Sequence, residues 1–190
     1  MALNPDDVTV VPNAAAWRAF LDAHEETSDG VWLVLAKKGI TSPTSLTYAQ
    51  ALDEALCSGW IDGQRRSRDE TTFLQLFTPR RSRSLWSVRN VGIVARLRDE
   101  RRMRPRGERE VDLAKADGRW ERAYAGQANA VAPEDLLAAL AAVPGALERF
   151  EAMPKQERFI TIAKLTTAPS DTTRARRFER IVASFTLPSE

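Results

Sequence analysis

The sequence predicts an α+β fold, with a small antiparallel sheet flanked by helices and a helical C-terminal portion. Residues 31–36 and 72–77 are short runs rich in β-branched and aromatic side chains, which is typical of strands. Apolar residues at helical spacing lie before, between and after these runs. Beyond residue 132 every apolar pattern has helical spacing. Strands are therefore expected in the first half of the chain, and helices in both halves.

The first 60 residues predict a helix, a strand and a second helix, in that order. Asn13 can cap the first helix, because its side chain can accept a hydrogen bond from a free backbone N–H. The strand at residues 31–36 follows. Thr47 and Gln50 then have the spacing of a capping box, in which each side chain bonds the backbone N–H of the other residue. The second helix is expected to run from this box to Gly59.

The central part of the chain predicts the rest of the sheet. Residues 60–62 and 72–77 are expected to form two antiparallel strands joined by the polar stretch 63–70. A helix with one basic side is expected to begin near Ser87, and a further helix to end near Gly118.

The predicted domain organisation has three parts. Residues 1–120 form the α+β core and contain a segment rich in tryptophan and arginine. Residues 121–132 are linker-like, because they contain many alanines but little periodic apolar patterning. Residues 133–190 form a helical portion that we expect to pack on the core, since its amphipathic stripes need a surface to bury.

Composition restricts the class of protein. A chain of 190 residues with 43% hydrophobic content can bury an ordinary core, and its single cysteine excludes an internal disulfide. The first eleven residues lack the basic-then-apolar pattern of a secretory signal, so we expect a cytoplasmic protein. The longest apolar run, residues 31–36, is far shorter than the roughly 20 residues that span a bilayer. No membrane span is expected.

Charge is distributed unevenly along the chain. Residues 1–64 carry three basic and nine acidic side chains, whereas residues 65–109 carry fourteen basic and five acidic ones. All fourteen bases are arginines, which keep their charge at any working pH and bind phosphate or carboxylate in a two-pronged fork. This segment, with a net charge of +9, is the candidate functional surface.

Catalytic and metal sites need several convergent groups, and the sequence offers few. It has one histidine, His24, and one cysteine, Cys57, with no paired ligand spacing. Residues 59–63 lack the glycine spacing and the Lys-Ser/Thr ending of a nucleotide-binding loop. We therefore predict no metal, no cofactor and no catalytic residue.

The candidate ligand site lies in the central segment, where aromatic and basic side chains are interleaved. Pro79-Arg80-Arg81 ends a strand and Ser87-Val88-Arg89-Asn90 begins a helix, so guanidinium groups are expected beside free backbone N–H groups. Such an arrangement attracts anions. The predicted ligand is a small anion, and the residues expected near the walls of its cleft are Trp60, Asp62, Arg80, Arg81, Trp86, Arg89 and Asn90.

Three other interpretations of these residues stay open. Asp62 could be the acid or base of an enzyme that acts on a small anionic substrate, although we favour an arginine partner for its carboxylate. The +9 segment could bind nucleic acid, with its aromatic rings stacking on bases. The basic helix faces could also be simply solvated.

Three ordered motifs carry a resemblance to the YdeI/OmpD-associated family, which is also labelled bacteriocin-protection. They are EALCSGWIDG at residues 54–63, FTPRR at 77–81 and WSVRN at 86–90, and the similarity extends to residues 173–177. The resemblance implies bacteriocin protection and assigns no catalytic residues. We expect a noncatalytic binding protein linked to bacteriocin or stress tolerance. The family label also implies association with an outer-membrane porin, which we do not expect without an export signal.

Overall fold

The computed structural model describes residues 3–186 and confirms the predicted α+β class. One sheet contains β1 (Val8–Thr9), β2 (Val31–Ala36), β3 (Trp60–Ser67) and β4 (Thr72–Pro79). The helices of the described residues are α1 (Ala14–His24), α2 (Tyr48–Cys57), α3 (Val88–Asp99), α4 (Pro105–Ala116), α5 (Glu134–Ala141), α6 (Ala146–Ala152), α7 (Lys155–Thr166) and α8 (Asp171–Thr186), with a short 3-10 helix at Gln127–Asn129. Across residues 3–186, no helix combines the length and the apolar character needed to cross a membrane.

The sheet has the strand order β1-β2-β4-β3. As predicted, β3 and β4 are antiparallel, with Asp62 opposite Phe77. On its other side β4 pairs antiparallel with β2, where Trp32 lies opposite Leu76. β1 adds a parallel edge of only two residues, which is too short to show any alternation in the sequence.

The predicted connection between β3 and β4, at residues 63–70, is too long. Residues 63–67 continue β3, because an edge strand pairs through its backbone whether or not its side chains are polar. Asp69 closes the hairpin, its carboxylate accepting hydrogen bonds of 2.7–2.8 Å from the N–H and hydroxyl groups of Thr71 and Thr72. These bonds hold the pKa of Asp69 far below its usual range.

Both predicted helix caps are confirmed. The side chain of Asn13 accepts a hydrogen bond of 3.0 Å from the N–H of Ala16. Thr47 and Gln50 form the reciprocal capping box, in which the N–H of Thr47 donates to Gln50 Oε1 at 3.0 Å. A cap of this kind contributes about 1 kcal/mol to helix stability. The two caps define where α1 and α2 begin, and so which of their side chains face the sheet.

The chain divides into two compact units. The first contains the residues up to Ser84 together with Gly92–Leu113, and the second contains Leu85–Val91 together with the residues from Ala114 onward. The whole sheet, α1 and α2 belong to the first unit, whereas α5 to α8 belong to the second.

In the first unit, α1 and α2 lie on one face of the sheet and form its main core. Trp17 of α1 is fully buried, edge-on to Trp60 at 6.3 Å and 5.6 Å from the ring of Phe77. Its indole N–H donates to the carbonyl of Ala51 in α2 at 3.1 Å. The other face of the sheet carries a smaller apolar cluster of Trp32, Val34 and Leu74, with Leu3, Val8 and Leu76 packed against it.

The second unit has its own core, built from α5 to α8. Its buried cluster comprises Leu136, Leu140, Ala146, Phe150, Ile162 and Leu165. The stripe predicted on α8 packs against this cluster through Phe178, Ile181, Val182 and Phe185. None of the four is fully buried.

Candidate functional site

The seven residues predicted to form one cleft are distributed over the two units. Trp60, Asp62, Arg80 and Arg81 belong to the first unit, and Trp86, Arg89 and Asn90 belong to the second. Each group is described within its own unit below.

A groove of about 690 Å³ lies in the first unit, on the sheet face opposite α1 and α2. Arg80 and Arg81, both predicted site residues, line this groove. Arg66 and Trp32, which the sequence analysis did not select, line it as well. The remaining lining residues include Leu3, Leu76 and one acidic side chain, Asp29.

A β-bulge directs Arg66 toward the groove. The pairing of β3 with β4 shifts between Asp62 and Arg65, where one extra residue enters β3. The side-chain amide of Gln75 stabilises this irregular stretch by donating to the carbonyls of Gly63 at 2.9 Å and Gln64 at 3.2 Å. Past the bulge, the guanidinium of Arg66 lies 5.1 Å from the ring centroid of Trp32, on the groove side.

The end of β4 positions the other two arginines. The backbone N–H of Arg80 donates to the carbonyl of Gly59 at 3.0 Å, and its side chain is only 5% exposed. The N–H of Arg81 donates to Ser84 Oγ at 2.9 Å, and its side chain is exposed. The groove therefore combines one buried guanidinium and two exposed ones with a single carboxylate among its described lining residues.

Trp60 and Asp62 lie away from this groove. Trp60 is fully buried in the main core, and its indole N–H donates to the carbonyl of Glu25 at 3.4 Å. The expected arginine partner of Asp62 is wrong: its carboxylate accepts a hydrogen bond of 2.7 Å from the hydroxyl of Tyr48. The reason is geometric, because the first residue of α2 reaches β3 on the helix-covered face of the sheet.

In the second unit, the three remaining site residues lie around the start of α3. Trp86 is buried with its ring 4.8 Å from that of Trp120, and its carbonyl accepts from the N–H of Tyr124 at 2.9 Å. The N–H of Asn90 donates to Ser87 Oγ at 3.1 Å. Arg89 is exposed. Their part in ligand binding stays a prediction.

Many arginines of the +9 segment form ion pairs with acids from the first 64 residues. The central pair joins Arg104 to Glu54 at 2.6 Å, with both side chains about nine-tenths buried. Arg104 also pairs with Asp22 at 3.1 Å, and Arg102 pairs with Glu54 at 2.7 Å. Further pairs join Arg96 to Asp53 at 2.7 Å, Arg106 to Glu26 at 3.3 Å and Arg109 to Glu26 at 2.6 Å. The hydrogen bond from Arg109 holds the pKa of Glu26 below its usual range.

The start of α4 approaches the end of α2 closely, and this approach brings the paired charges together. The N–H of Arg104 donates to the carbonyl of Cys57 at 3.1 Å. At Gly107 a Cβ atom would overlap the same carbonyl oxygen, so the approach requires glycine. Cys57 is buried here, and burial raises the pKa of its thiol to about 11, with a further contribution from Glu54.

The sequence contained partial signals for the two lining residues it did not select. Trp32 belongs to an apolar strand, where nothing distinguishes a groove residue from a core residue. Arg66 lies in the stretch taken as a loop, so its direction could not be assigned. Among residues 3–186, no group of three or more His, Cys, Asp or Glu side chains is placed to hold a metal ion.

Two family models match separate stretches of the chain. A domain of unknown function, DUF8412, matches residues 9–110. The family described as bacteriocin-protection, YdeI or OmpD-associated, matches residues 129–185 and confirms the resemblance for that stretch. The motifs at residues 54–63, 77–81 and 86–90 lie inside the first match. No curated protein and no solved structure matches the chain significantly.

Proposed function

We propose that this chain, which belongs to the DUF8412 family of unknown function, is a noncatalytic binding protein whose groove takes a small organic anion. The observation that carries the proposal is the convergence of Arg66, Arg80 and Arg81 on one groove that has a single acidic lining residue, Asp29. Guanidinium groups form strong, charge-assisted hydrogen bonds with carboxylate and phosphate oxygens.

The dimensions and lining of the groove favour a small molecule. A volume of about 690 Å³ falls within the range of ligand pockets, which is roughly 300–1,000 Å³. Leu3 and Leu76 provide apolar contact beside the cations, and Asp29 leaves a net charge of +2 among the lining side chains. The ligand class that fits is an organic molecule with about two negative charges and a compact apolar or ring portion.

Burial strengthens the part played by Arg80. Its side chain is 5% exposed, and a charge removed from water interacts more strongly with an incoming anion than a solvated charge does. Arg66 and Arg81 are exposed and can adjust to the ligand. This division resembles that of many specific sites, where one fixed cation orients the ligand and mobile cations close around it.

Two observations favour this function over the alternatives. Asp62 is bonded to Tyr48 and does not line the groove, which favours binding over acid–base catalysis by Asp62. Arg96, Arg102, Arg104, Arg106 and Arg109 are paired with carboxylates, which reduces the positive surface that the +9 segment could offer to nucleic acid.

We extend the bacteriocin-protection role named by the match at residues 129–185 to this chain as part of the proposal. Anion binding in the groove would be the molecular step behind that tolerance. A chain with a disabled groove would then fail to restore bacteriocin survival to cells that lack this protein.

The test is a thermal-shift and calorimetry screen of sugar phosphates, nucleotides, dicarboxylates and short oligonucleotides, at about 50 and 200 mM salt. We expect one organic anion to bind at both salt concentrations. The Arg66→Ala/Arg81→Ala variant should bind it about 10- to 100-fold more weakly, because a hydrogen bond to a charged group contributes about 1.5–3 kcal/mol. Arg83→Ala is the matched control, since Arg83 is exposed and nearby in sequence but does not line the groove.

Three results would contradict the proposal. The first is the absence of any anion whose binding depends on Arg66 and Arg81. The second is an equal loss of affinity in the Arg83→Ala control. The third is preferential binding of oligonucleotides with a steep loss at the higher salt, which would support nucleic-acid binding instead.

A further inference from the structure

The last helix of the second unit has an apolar stripe that its own unit covers incompletely. α8 spans 16 residues, about 24 Å at 1.5 Å per residue. Phe178, Ile181, Val182 and Phe185 follow helical spacing and pack on the core of this unit, yet no residue of α8 is fully buried. Apolar side chains left partly exposed along one line are typical of interaction surfaces.

A groove of about 690 Å³ runs along this stripe between α7 and α8. Its floor is apolar and includes residues from both helices and from the segment before α3. Two of these side chains are substantially exposed, Leu85 at 44% and Ile160 at 41%. The apolar lining residues used in the argument are Leu85, Met153, Phe159, Ile160, Ile181 and Phe185.

The charges around this groove have one sign. Lys164, Arg177 and Arg180 line it, and no acidic residue does so among the described lining residues. Arg177 is held in place by donating to the carbonyl of Lys164 at 2.7 Å, a contact that leaves its charge uncompensated. By contrast, Arg174 one turn earlier pairs with Asp135 at 2.7 Å. The groove therefore offers an apolar floor with a cationic rim.

We infer that this groove, called the α7–α8 groove below, docks an acidic amphipathic helix of a partner protein. A concave channel between two helices fits the helix-in-groove mode, in which apolar side chains at positions i, i+3, i+4 and i+7 insert into the floor. Acidic side chains flanking that stripe would meet Lys164, Arg177 and Arg180. A flat anionic membrane would meet the rim but would leave the floor unfilled.

The probe for this proposal is a fluorescein-labelled synthetic helix of about 16 residues, with leucine at the four inserting positions and glutamate on both flanks. A second peptide carries lysine in place of every glutamate. Binding to the full chain is measured by fluorescence anisotropy, and circular dichroism checks that each variant is folded. We expect the acidic peptide to bind and the basic peptide not to bind.

The variants separate the rim from the floor. Arg177→Glu/Arg180→Glu should weaken binding of the acidic peptide about tenfold or more, because it reverses two rim charges. Arg176→Glu is the matched control: Arg176 is an exposed arginine of the same helix that does not line the groove, and its reversal should change affinity less than about twofold. Ile160→Asp should abolish binding by placing a charge on the floor. Lys164→Glu provides a second rim variant on α7.

The proposal is overturned if the acidic peptide fails to bind, if the basic peptide binds equally well, or if Arg176→Glu has the same effect as the rim variants. It is also overturned if phosphatidylserine vesicles bind through the same residues and the acidic peptide does not compete with them. These outcomes are independent of the anion groove, because Arg66 and Arg81 belong to the other unit.

Discussion

The arginines of the central segment fall into two groups that look alike in the sequence and differ in the structure. Arg96, Arg102, Arg104, Arg106 and Arg109 meet carboxylates from the first 64 residues and form an ion-pair network around Glu54. Arg66, Arg80 and Arg81 line a groove whose single acidic lining residue is Asp29. The first group stabilises the fold, and the second is available to a ligand.

The difference teaches that a block of arginines has no function by itself. A guanidinium placed opposite a buried carboxylate is already satisfied, and breaking that pair affects stability. A guanidinium at a groove keeps its capacity to bind, and removing it affects affinity. Variants in the two groups should therefore separate stability from binding.

The largest effect on stability is expected at Glu54. Glu54→Ala leaves Arg104, a charge about nine-tenths buried, without its partner at 2.6 Å, and should lower the free energy of unfolding by about 3–5 kcal/mol. Urea unfolding measures the change. The control is Glu100→Ala, which removes an exposed partner of Arg96 and Arg102 and should cost less than about 1 kcal/mol. Equal costs for the two variants would refute the buried network as a source of stability.

Alkaline pH should weaken the same region through Cys57. Its thiol stays protonated in the folded chain up to a pKa of about 11, but ionises near its ordinary pKa when unfolded. The unfolded state then binds fewer protons, so the free energy of unfolding should fall by about 2–3 kcal/mol as the pH rises from about 9 to about 11. Urea titrations at several pH values measure the slope. The slope should be shallower in Cys57→Ala, and an unchanged slope would rule out the thiol as its cause.

The close approach of α4 to α2 should depend on Gly107. Alanine is about 1 kcal/mol better than glycine in a helix interior, but a Cβ here would overlap the carbonyl oxygen of Cys57 and outweigh that gain. We expect Gly107→Ala to destabilise the protein by about 2 kcal/mol in thermal unfolding. Gly92→Ala in α3 is the control, because its Cβ would meet no atom within 4 Å and should stabilise slightly. Stabilisation by both substitutions would contradict the close approach.

The smallest effect on stability is expected in the groove. Arg66→Ala/Arg81→Ala removes two exposed side chains and should change the free energy of unfolding by less than about 1 kcal/mol, while it removes anion binding. Chemical unfolding of the unliganded variant provides the measurement. A loss comparable to that of Glu54→Ala would mean that the groove arginines belong to the structural network after all.

Much of the fold could be predicted because its signals are local. The Asn13 cap, the Thr47–Gln50 capping box and the strand at residues 31–36 depend on neighbouring residues, and all three are confirmed. The length of β3 could not be predicted, because residues 63–67 are polar and are held by pairing with β4. The two-residue strand β1 exists only through its pairing with β2.

The candidate site was predicted in part. Arg80 and Arg81 line the groove, as their place after β4 indicated. Arg66 was missed because a single extra residue in β3 decides which face it reaches. Asp62 was given an arginine partner on the basis of composition, whereas Tyr48 of α2 lies closer to it in the folded chain.

The sequence by itself determined the fold class, the helix caps, the apolar stripes and the separation of acidic from basic segments, since each follows from composition or from spacing within a few residues. Only the tertiary structure decided which arginines are satisfied and which line a groove. The pair between Glu54 and Arg104 joins side chains fifty positions apart. Such a contact depends on the path of the chain between its partners, and no local pattern specifies that path.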